Sequence, residues 1–357
     1  MSQAAGNSPE KEIKTGPAAT GERESGSPGR SRRYPVARFV VRRLAAGLVT
    51  LLVASALIFV ATNALPGDVA QVVLGRYATP SRLETLRAKL DLNQPLVVRY
   101  GHWLGNAVTG DLGDSAVQLA NGQGNTPVWH MIRTPLRNSA ILALFTVILL
   151  IPLSLVAGTA AAVRASRPTD YVLSYSALVV GSLPEFVVGT FLIAVFFSWL
   201  NLFPPVALVP PGASPLSNTT ALVLPVLTLL AVSLAFSARQ IRAGVVEALR
   251  QEYVTMARLG GMRERKVLVR YALRNALAPS VQTFAQSIQY LFGGIIVVEA
   301  LFGYPGIGQL LVQAVSERDF TLIQGITLVL AALYIAINIA ADLVVVFLVP
   351  KLRTSLR

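Results

Sequence analysis

"EYVTMARLGGMRERKVLVRYALRNALAP", Glu252 to Pro279, is a basic, polar stretch with no proline before its last residue. Apolar runs long enough to enter a bilayer flank it on both sides. The side of the membrane that it faces therefore decides the topology of the chain. Tyr253, Met256, Ala257 and Gly260 fall at i, i+3, i+4 and i+7, the spacing of one face of a short helix. Gly260-Gly261 lets the backbone turn at little steric cost. Beyond the turn, Arg263, Lys266, Arg270 and Arg274 share one face, and Leu268, Tyr271 and Ala272 another. A basic amphipathic helix of this kind lies at headgroup level, either to hold topology or to dock a partner. Pro279 marks the entry to the next span.

The chain has 357 residues, 53% hydrophobic and 14% charged, against about a quarter charged in an ordinary soluble domain. It reads as a membrane protein. Its net charge of +13 then implies basic cytoplasmic loops, not a nucleic-acid surface. The absence of cysteine excludes disulfides, thiolate metal sites and cysteine nucleophiles. Residues 1–33, rich in Gly, Ser, Pro and mixed charge, read as a disordered tail. No small-residue cleavage site follows the first apolar run, so that run is expected to be an uncleaved span.

Six runs match the length of a membrane helix. They are about Leu44 to Leu65, Ser139 to Val163, Tyr171 to Leu200, Thr220 to Ala238, Val281 to Val298 and Leu322 to Val349. Arginine and lysine fall in alternate connections. Arg38, Arg42 and Arg43 precede the first span, and Arg164 and Arg167 follow the second. Arg239 to Arg274 lie between the fourth and fifth, and Lys351, Arg353 and Arg357 come after the sixth. The intervening stretch Asn201 to Asn218 carries no charge. The positive-inside rule then places both termini in the cytoplasm. Residues 66–135 fall outside as a large extracytoplasmic loop, and 239–279 inside. Within the loop, Pro80 to Leu92 and Gln94 to Gly110 read as amphipathic helices.

Several polar residues invite a role. Gln282, Gln286 and Gln289 stand at i, i+4 and i+7 in the fifth span. Such a face either hydrogen-bonds neighbouring helices or lines a polar path suited to peptide groups. Glu185 and Asp342 are isolated acids within spans. Glu185 is the weak candidate for the path, and Asp342 reads as structural. Asp68, Asp111 and Asp114 adjoin glycines, off the spacing of an EF-hand loop, and fit turns better than calcium. His102 and His130 lack neighbours at metal-ligand spacing, while Trp103 and Trp129 beside them suit an interfacial aromatic belt. No metal or cofactor site is expected on this chain.

The Glu252–Pro279 stretch resembles the EAA-type coupling segment of ABC importer permeases, in the variant of dipeptide and oligopeptide (peptide/nickel) permeases. The matching positions are Tyr253-Val254, Ala257-Arg258, Gly261, Arg274-Asn275 and Pro279. Thr255, Leu259, Gly260 and Ala278 depart from the family's usual residues. Leu65 to Gly75 resembles its Pro-Gly-Asp element, and Leu90 to Ser115 its Gly-Asp-Leu-Gly signature. Leu301 to Gly325 resembles its Tyr-Pro-Gly-x-Gly and Arg-Asp motif. The likeness covers about Arg38 to Pro350, and the long loop is similar to that of the "B"-type subunit.

The resemblance implies an all-α, six-helix type I permease fold with a cytoplasmic coupling helix, in a bacterial cell membrane. It implies an inward path for di- or oligopeptides, with nickel, glutathione, haem or another small solute as the alternative. It also implies a second permease, two ATP-binding subunits carrying ATP and magnesium, and an extracytoplasmic substrate-binding protein. Glu252, Tyr253, Ala257, Arg258, Gly261, Arg274, Asn275 and Pro279 would form the contact with the ATPase. The residues agree on one point, because no Gly-x-x-x-x-Gly-Lys-Ser/Thr loop occurs. An intramembrane hydrolase lacks its motifs here. A stand-alone secondary transporter, the less favoured alternative, would show inverted repeats and broken helices with ion-coordinating acids at mid-membrane.

Overall fold

The computed structural model describes residues 35–63, 69–210 and 213–348. The tail (1–33), Pro66-Gly67-Asp68 and the basic residues beyond the sixth span lie outside the described residues. Every regular element among the described residues is helical, with one isolated bridge between Asp114 and Pro127. The first span is α1 (Pro35–Asn63). The element that follows it contains α2 (Val69–Leu74), α3 (Pro80–Lys89), α4 (Leu96–Val108) and α5 (Ala116–Ala120). Proline opens α3 and immediately precedes α4, where its fixed φ suits a helix start and its missing N–H is no loss. The amphipathic spacing predicted both helices.

The second span is α6 (Val128–Val163). It begins well before the expected Ser139, so the connecting loop ends earlier than residue 135. Pro135 and Pro152 lie inside α6, and the hydroxyl of Ser139 donates to the Pro135 carbonyl at 3.1 Å.

The third expected span is broken. α7 (Pro168–Ser182) and α8 (Glu185–Ile193, continued as a wide π turn through Trp199) meet at 106°. Pro184 explains the break. It forces Leu183 into extended backbone (φ −86°, ψ 137°) and cannot donate to the preceding turn. A run of apolar residues hides such a break when only hydropathy is read.

The fourth span is α9 (Thr220–Leu249), which continues as helix past the expected end at Ala238. Then come α10 (Glu252–Leu259), the single turn α11 (Glu264–Lys266), a π-helical segment (Val267–Leu273) and α12 (Arg274–Phe302). α13 (Ile307–Glu317) leads to the last span, α14 (Phe320–Leu348). Five of these helices are long and apolar enough to cross a membrane, and six spans result when the bent α7–α8 pair is taken as one. The arginine-rich connections lie on one side of this body, called the basic side below.

α9 is the buried centre. Leu222, Leu224, Val226, Leu229 and Leu230 join Leu142 and Leu150 of α6 and Leu291, Ile295 and Val298 of α12 in one cluster. α6 crosses α9 at Gly158, where a Cβ would sit 2.8 Å from the Ala238 carbonyl and from Ile241. Gly158→Val is therefore expected to force the two helices apart and lower stability by about 1–3 kcal/mol. Thermal unfolding in detergent measures it. Gly181→Ala, whose Cβ would meet Ala235 at an ordinary 3.6 Å, should leave the melting point unchanged.

Candidate coupling segment and transport path

α9 leaves the bilayer as a straight helix and stops at Arg250. Gln251 is extended (ψ 147°) and starts α10 in a new direction. Val254 and Ala257 are buried against Val267, with Leu249, Met262 and Tyr271 around them. This corrects the sequence expectation of a common Tyr253–Met256–Ala257–Gly260 face. Ala257 turns inward with Val254, while Tyr253 (38% exposed), Met256 (68%) and Leu259 (77%) point away from the protein. The inward pair sits three apart on α10, and the packing partner Val267 had carried no sequence signal.

The turn after α10 depends on Gly261, whose φ is +74° with nothing near the absent side chain. Arg258 forms a bidentate pair with Glu264 (2.9 and 3.3 Å), joining the two sides of the turn at an exposed position. Arg263, Lys266 and Arg270 are exposed, whereas Val267 and Ala272 are buried. The π-helical stretch lets Ala272, like Ala276 beyond it, face Val245 and Ala248 of α9. At its end Asn275 donates to the Tyr271 carbonyl at 2.8 Å. Arg274 and Pro279 belong to the backbone of α12, with side chains outside the described part; the helix runs on through Pro279. Glu252 is exposed in the first turn of α10.

Above this segment lies an ion pair that sequence reading missed. Arg242 of α9 grips the buried Asp170 of α7 through Nε and a terminal nitrogen, each at 2.6 Å. Asp170 also accepts the Ser166 N–H at 3.0 Å and the Ser174 hydroxyl at 3.3 Å. Arg242 had counted only as a topogenic charge. The available signal was an acid one turn into a proline-started helix, facing a connection otherwise rich in arginine.

The three glutamines of α12 share a groove of about 440 Å³ with Arg43 and Thr50 of α1 and with Tyr334, Asn338 and Asp342 of α14. Gln282 and Gln286 are exposed and Gln289 half-buried. Asp342 pairs with Arg43 at 3.0 Å, in keeping with the structural role expected for it. Glu185 stands apart from the groove. It begins α8 just after the break, faces the Tyr290 hydroxyl, and packs where a Cβ on Gly294 would come within 3.1 Å of its carboxylate.

On the opposite side, the Tyr-Pro-Gly-x-Gly and Arg-Asp motifs are structural joints. Gly303 caps α12 in the left-handed region (φ 58°). The Tyr304 hydroxyl donates to the Asn138 carbonyl at 2.7 Å, and Asn138 Nδ2 donates to the Pro305 carbonyl at 2.8 Å. Burial pushes the Tyr304 hydroxyl above the usual phenol range, with the Glu299 carboxylate adding to it, so it remains a donor. Glu299, unnoticed in the sequence, is fully buried and accepts the Gly308 N–H at 2.7 Å. A Cβ at Gly306 would run into that carboxylate, and one at Gly308 into the backbone of Ile296. Asp319 is buried and accepts the Ser115 hydroxyl, the Ala116 N–H at 3.1 Å and the Leu322 N–H at 3.1 Å. It thus binds the α2–α5 element to the start of α14. Asp111 accepts the Gly113 N–H at 2.9 Å, a turn role.

A helical membrane body without a nucleotide loop, carrying a bracket of short helices on its basic side, has the build of a transport permease worked by another chain. Residues 151–354 match the family described as binding-protein-dependent transport system inner membrane component, and residues 36–129 match the N-terminal region of such components. The chain belongs to this family, the non-catalytic permease subunits of ABC importers, which are multi-pass inner-membrane proteins acting with ATPase and substrate-binding partners. It is 33% identical over 314 residues to a Brucella abortus protein whose name assigns it to a peptide transport system, covering 88% of this chain and 98% of that protein. It is 31% identical over 326 residues to the oligopeptide transport system permease protein AppB of Bacillus subtilis, covering 89% and 100%. It is 35% identical over 316 residues to the glutathione transport system permease protein GsiC of Shigella flexneri, covering 88% and 98%.

Asp170→Leu is expected to strand Arg242 and destabilise the basic side by about 3 kcal/mol, whereas adding Arg242→Met should recover most of the loss. Unfolding midpoints of the single and double variants in detergent test this.

Proposed function

We propose that this chain forms one half of the translocation path of an ATP-driven peptide importer. It pairs with a second, similar permease and sits on two ATP-binding subunits, which hold ATP and magnesium. An extracytoplasmic binding protein delivers the substrate. The basic side is cytoplasmic, with both termini on it. The carrying observation is the build of α10. Its outward face offers Tyr253, Met256 and Leu259, and its inward face is fixed by Val254 and Ala257 between Leu249 at the end of α9 and the π-helical segment that leads into α12. A displacement of α10 by an ATPase is thereby passed to two spans at once. Glu252, Arg258 and Gly261 shape the docking surface, and Asn275 and the first turns of α12, with Arg274 and Pro279, carry the motion inward.

α12 then presents Gln282, Gln286 and Gln289, whose amides match the donors and acceptors of a peptide backbone. An exposed amide face is unfavourable against lipid, which supports cover by a second permease and a wet path. Glu185 is the candidate for a cationic group of the substrate. Peptides are the favoured class because two of the relatives are named for peptide or oligopeptide transport and the third for glutathione, itself a short peptide.

Uptake of labelled di- and oligopeptides in a strain deleted for this chain tests the substrate class, with loss of uptake expected. Copurification of an ATPase and a second permease tests the assembly. Transport by the purified chain alone, on a proton gradient without ATP, would sink the reading. Met256→Asp and Leu259→Asp should each weaken ATPase copurification about tenfold, roughly 1.4 kcal/mol, while membrane insertion persists. Gly261→Val, forced into the left-handed region at about 1–2 kcal/mol, should cut uptake, and Gly261→Asn should retain more of it.

A further inference from the structure

α4 divides into three arcs. Tyr100, Trp103 and Ala107 face inward, with Tyr100 and Trp103 forming an aromatic cluster with Phe59 of α1. Arg99, His102 and Asn106, at i, i+3 and i+7, form a polar arc lining a cavity of about 260 Å³ shared with Asn63, Asp91, Asp114 and Gln324. The remaining arc carries Val97 (80% exposed) and Val108 (82%), with Val98, Gly101 and Gly105 also exposed between them. Among the described residues, nothing covers it.

The depth of the helix is fixed by its bonds to α1. Arg99 donates to Asn63 Oδ1 at 2.8 Å, at the last residue of the span. Its neighbour Tyr100 shares a hydrogen bond with Ser55 Oγ at 2.8 Å. Ser55 lies two turns, about 12 Å, farther along the span than Asn63. An aqueous helix above the membrane could not reach that depth. Leu57 and Val60 of α1, the helix on which α4 packs, are exposed as well, as the lipid-facing side of a span must be.

We propose that α4 is an interfacial membrane helix. It lies sunk in the leaflet opposite the basic side, with the Val97–Val108 arc against acyl chains and the Arg99–Asn106 arc turned to the hydrated cavity. An apolar arc opposed to a polar one on a helix at the edge of a span is the arrangement that favours this position. The α2–α5 element is then half soluble. A partner arriving from that side meets α2, α3 and α5, not α4. The inference rests on the membrane reading above but not on the substrate or the ATPase.

The chain has no cysteine, so single replacements label without background. Val97→Cys and Val108→Cys probe the apolar arc, and Arg82→Cys on the exposed side of α3 is the control. The full-length chain is kept in membrane vesicles, sealed and then permeabilised, and treated with a membrane-impermeant maleimide. In parallel, a small fluorophore on the same cysteines is read in vesicles of phosphatidylcholine brominated in its acyl chains. The arc positions are expected to label at least about tenfold slower than Arg82→Cys and to be quenched by the brominated lipid. Equal labelling rates would overturn the proposal. Slow labelling without quenching would also overturn it, since protein would then cover the arc. If Arg82→Cys reacts only after permeabilisation, the assigned orientation is reversed, and quenching at Val97→Cys still decides whether α4 touches lipid.

Discussion

Everything in this molecule is arranged around the close approach of α9 to its neighbours. Inside a bilayer, burying apolar surface gives little net gain, since lipid is as apolar as leucine. Association must come from packing, and packing needs small residues where backbones meet. Gly158 lets α6 touch α9 at Ala238 and Ile241, and Gly189 lets α8 approach Thr228 of α9 and Leu301 and Phe302 of α12. The alanines of α9 continue the same device beyond the span, where Ala248 meets Ala272 and Ala276. α10 is mounted on that end of α9.

Around this packed centre, a few buried polar joints hold the ends of the spans. Asp170 and Asp319 each accept from several donors, and Glu299 accepts the Gly308 N–H. Asp170 holds α7 to α9, Asp319 holds α14 to the α2–α5 element, and Glu299 holds the loop between α12 and α13. A buried acid is tolerated only when such partners replace water. These joints explain the family's glycine motifs in mechanical terms. Gly306 and Gly308 are required because Glu299 and Ile296 occupy the space a side chain would take.

The sequence carried the helical class, the membrane-spanning character and the basic segment legibly, because hydropathy and charge act over many residues at once. It also carried the amide face of α12, a spacing within one helix. It did not reveal the break at Pro184, where apolar residues continue on both sides and only the pre-proline backbone changes. It did not reveal the inward face of α10, because Val254 packs on Val267 across a turn and no local period links them. Asp170 and Glu299 escaped notice for the same reason, and Asp319 stood out only within the Arg-Asp motif, without its partners. Their partners lie far away in sequence, on segments whose approach is set by the fold.

That distance has a further bearing on how the protein is made. Ser115 and Asp319 are 204 residues apart, and Thr62 meets Gln324 across 262, with Gln324 Nε2 donating to Thr62 Oγ1 at 2.6 Å. At a synthesis rate of about 5–20 residues per second, the α2–α5 element waits roughly 10–40 s for the start of the last span. During that interval the hydroxyl of Ser115 and the N–H of Ala116 are still without their acceptor. The chain closes last where it began, and the final helix to be inserted completes the structure around the first.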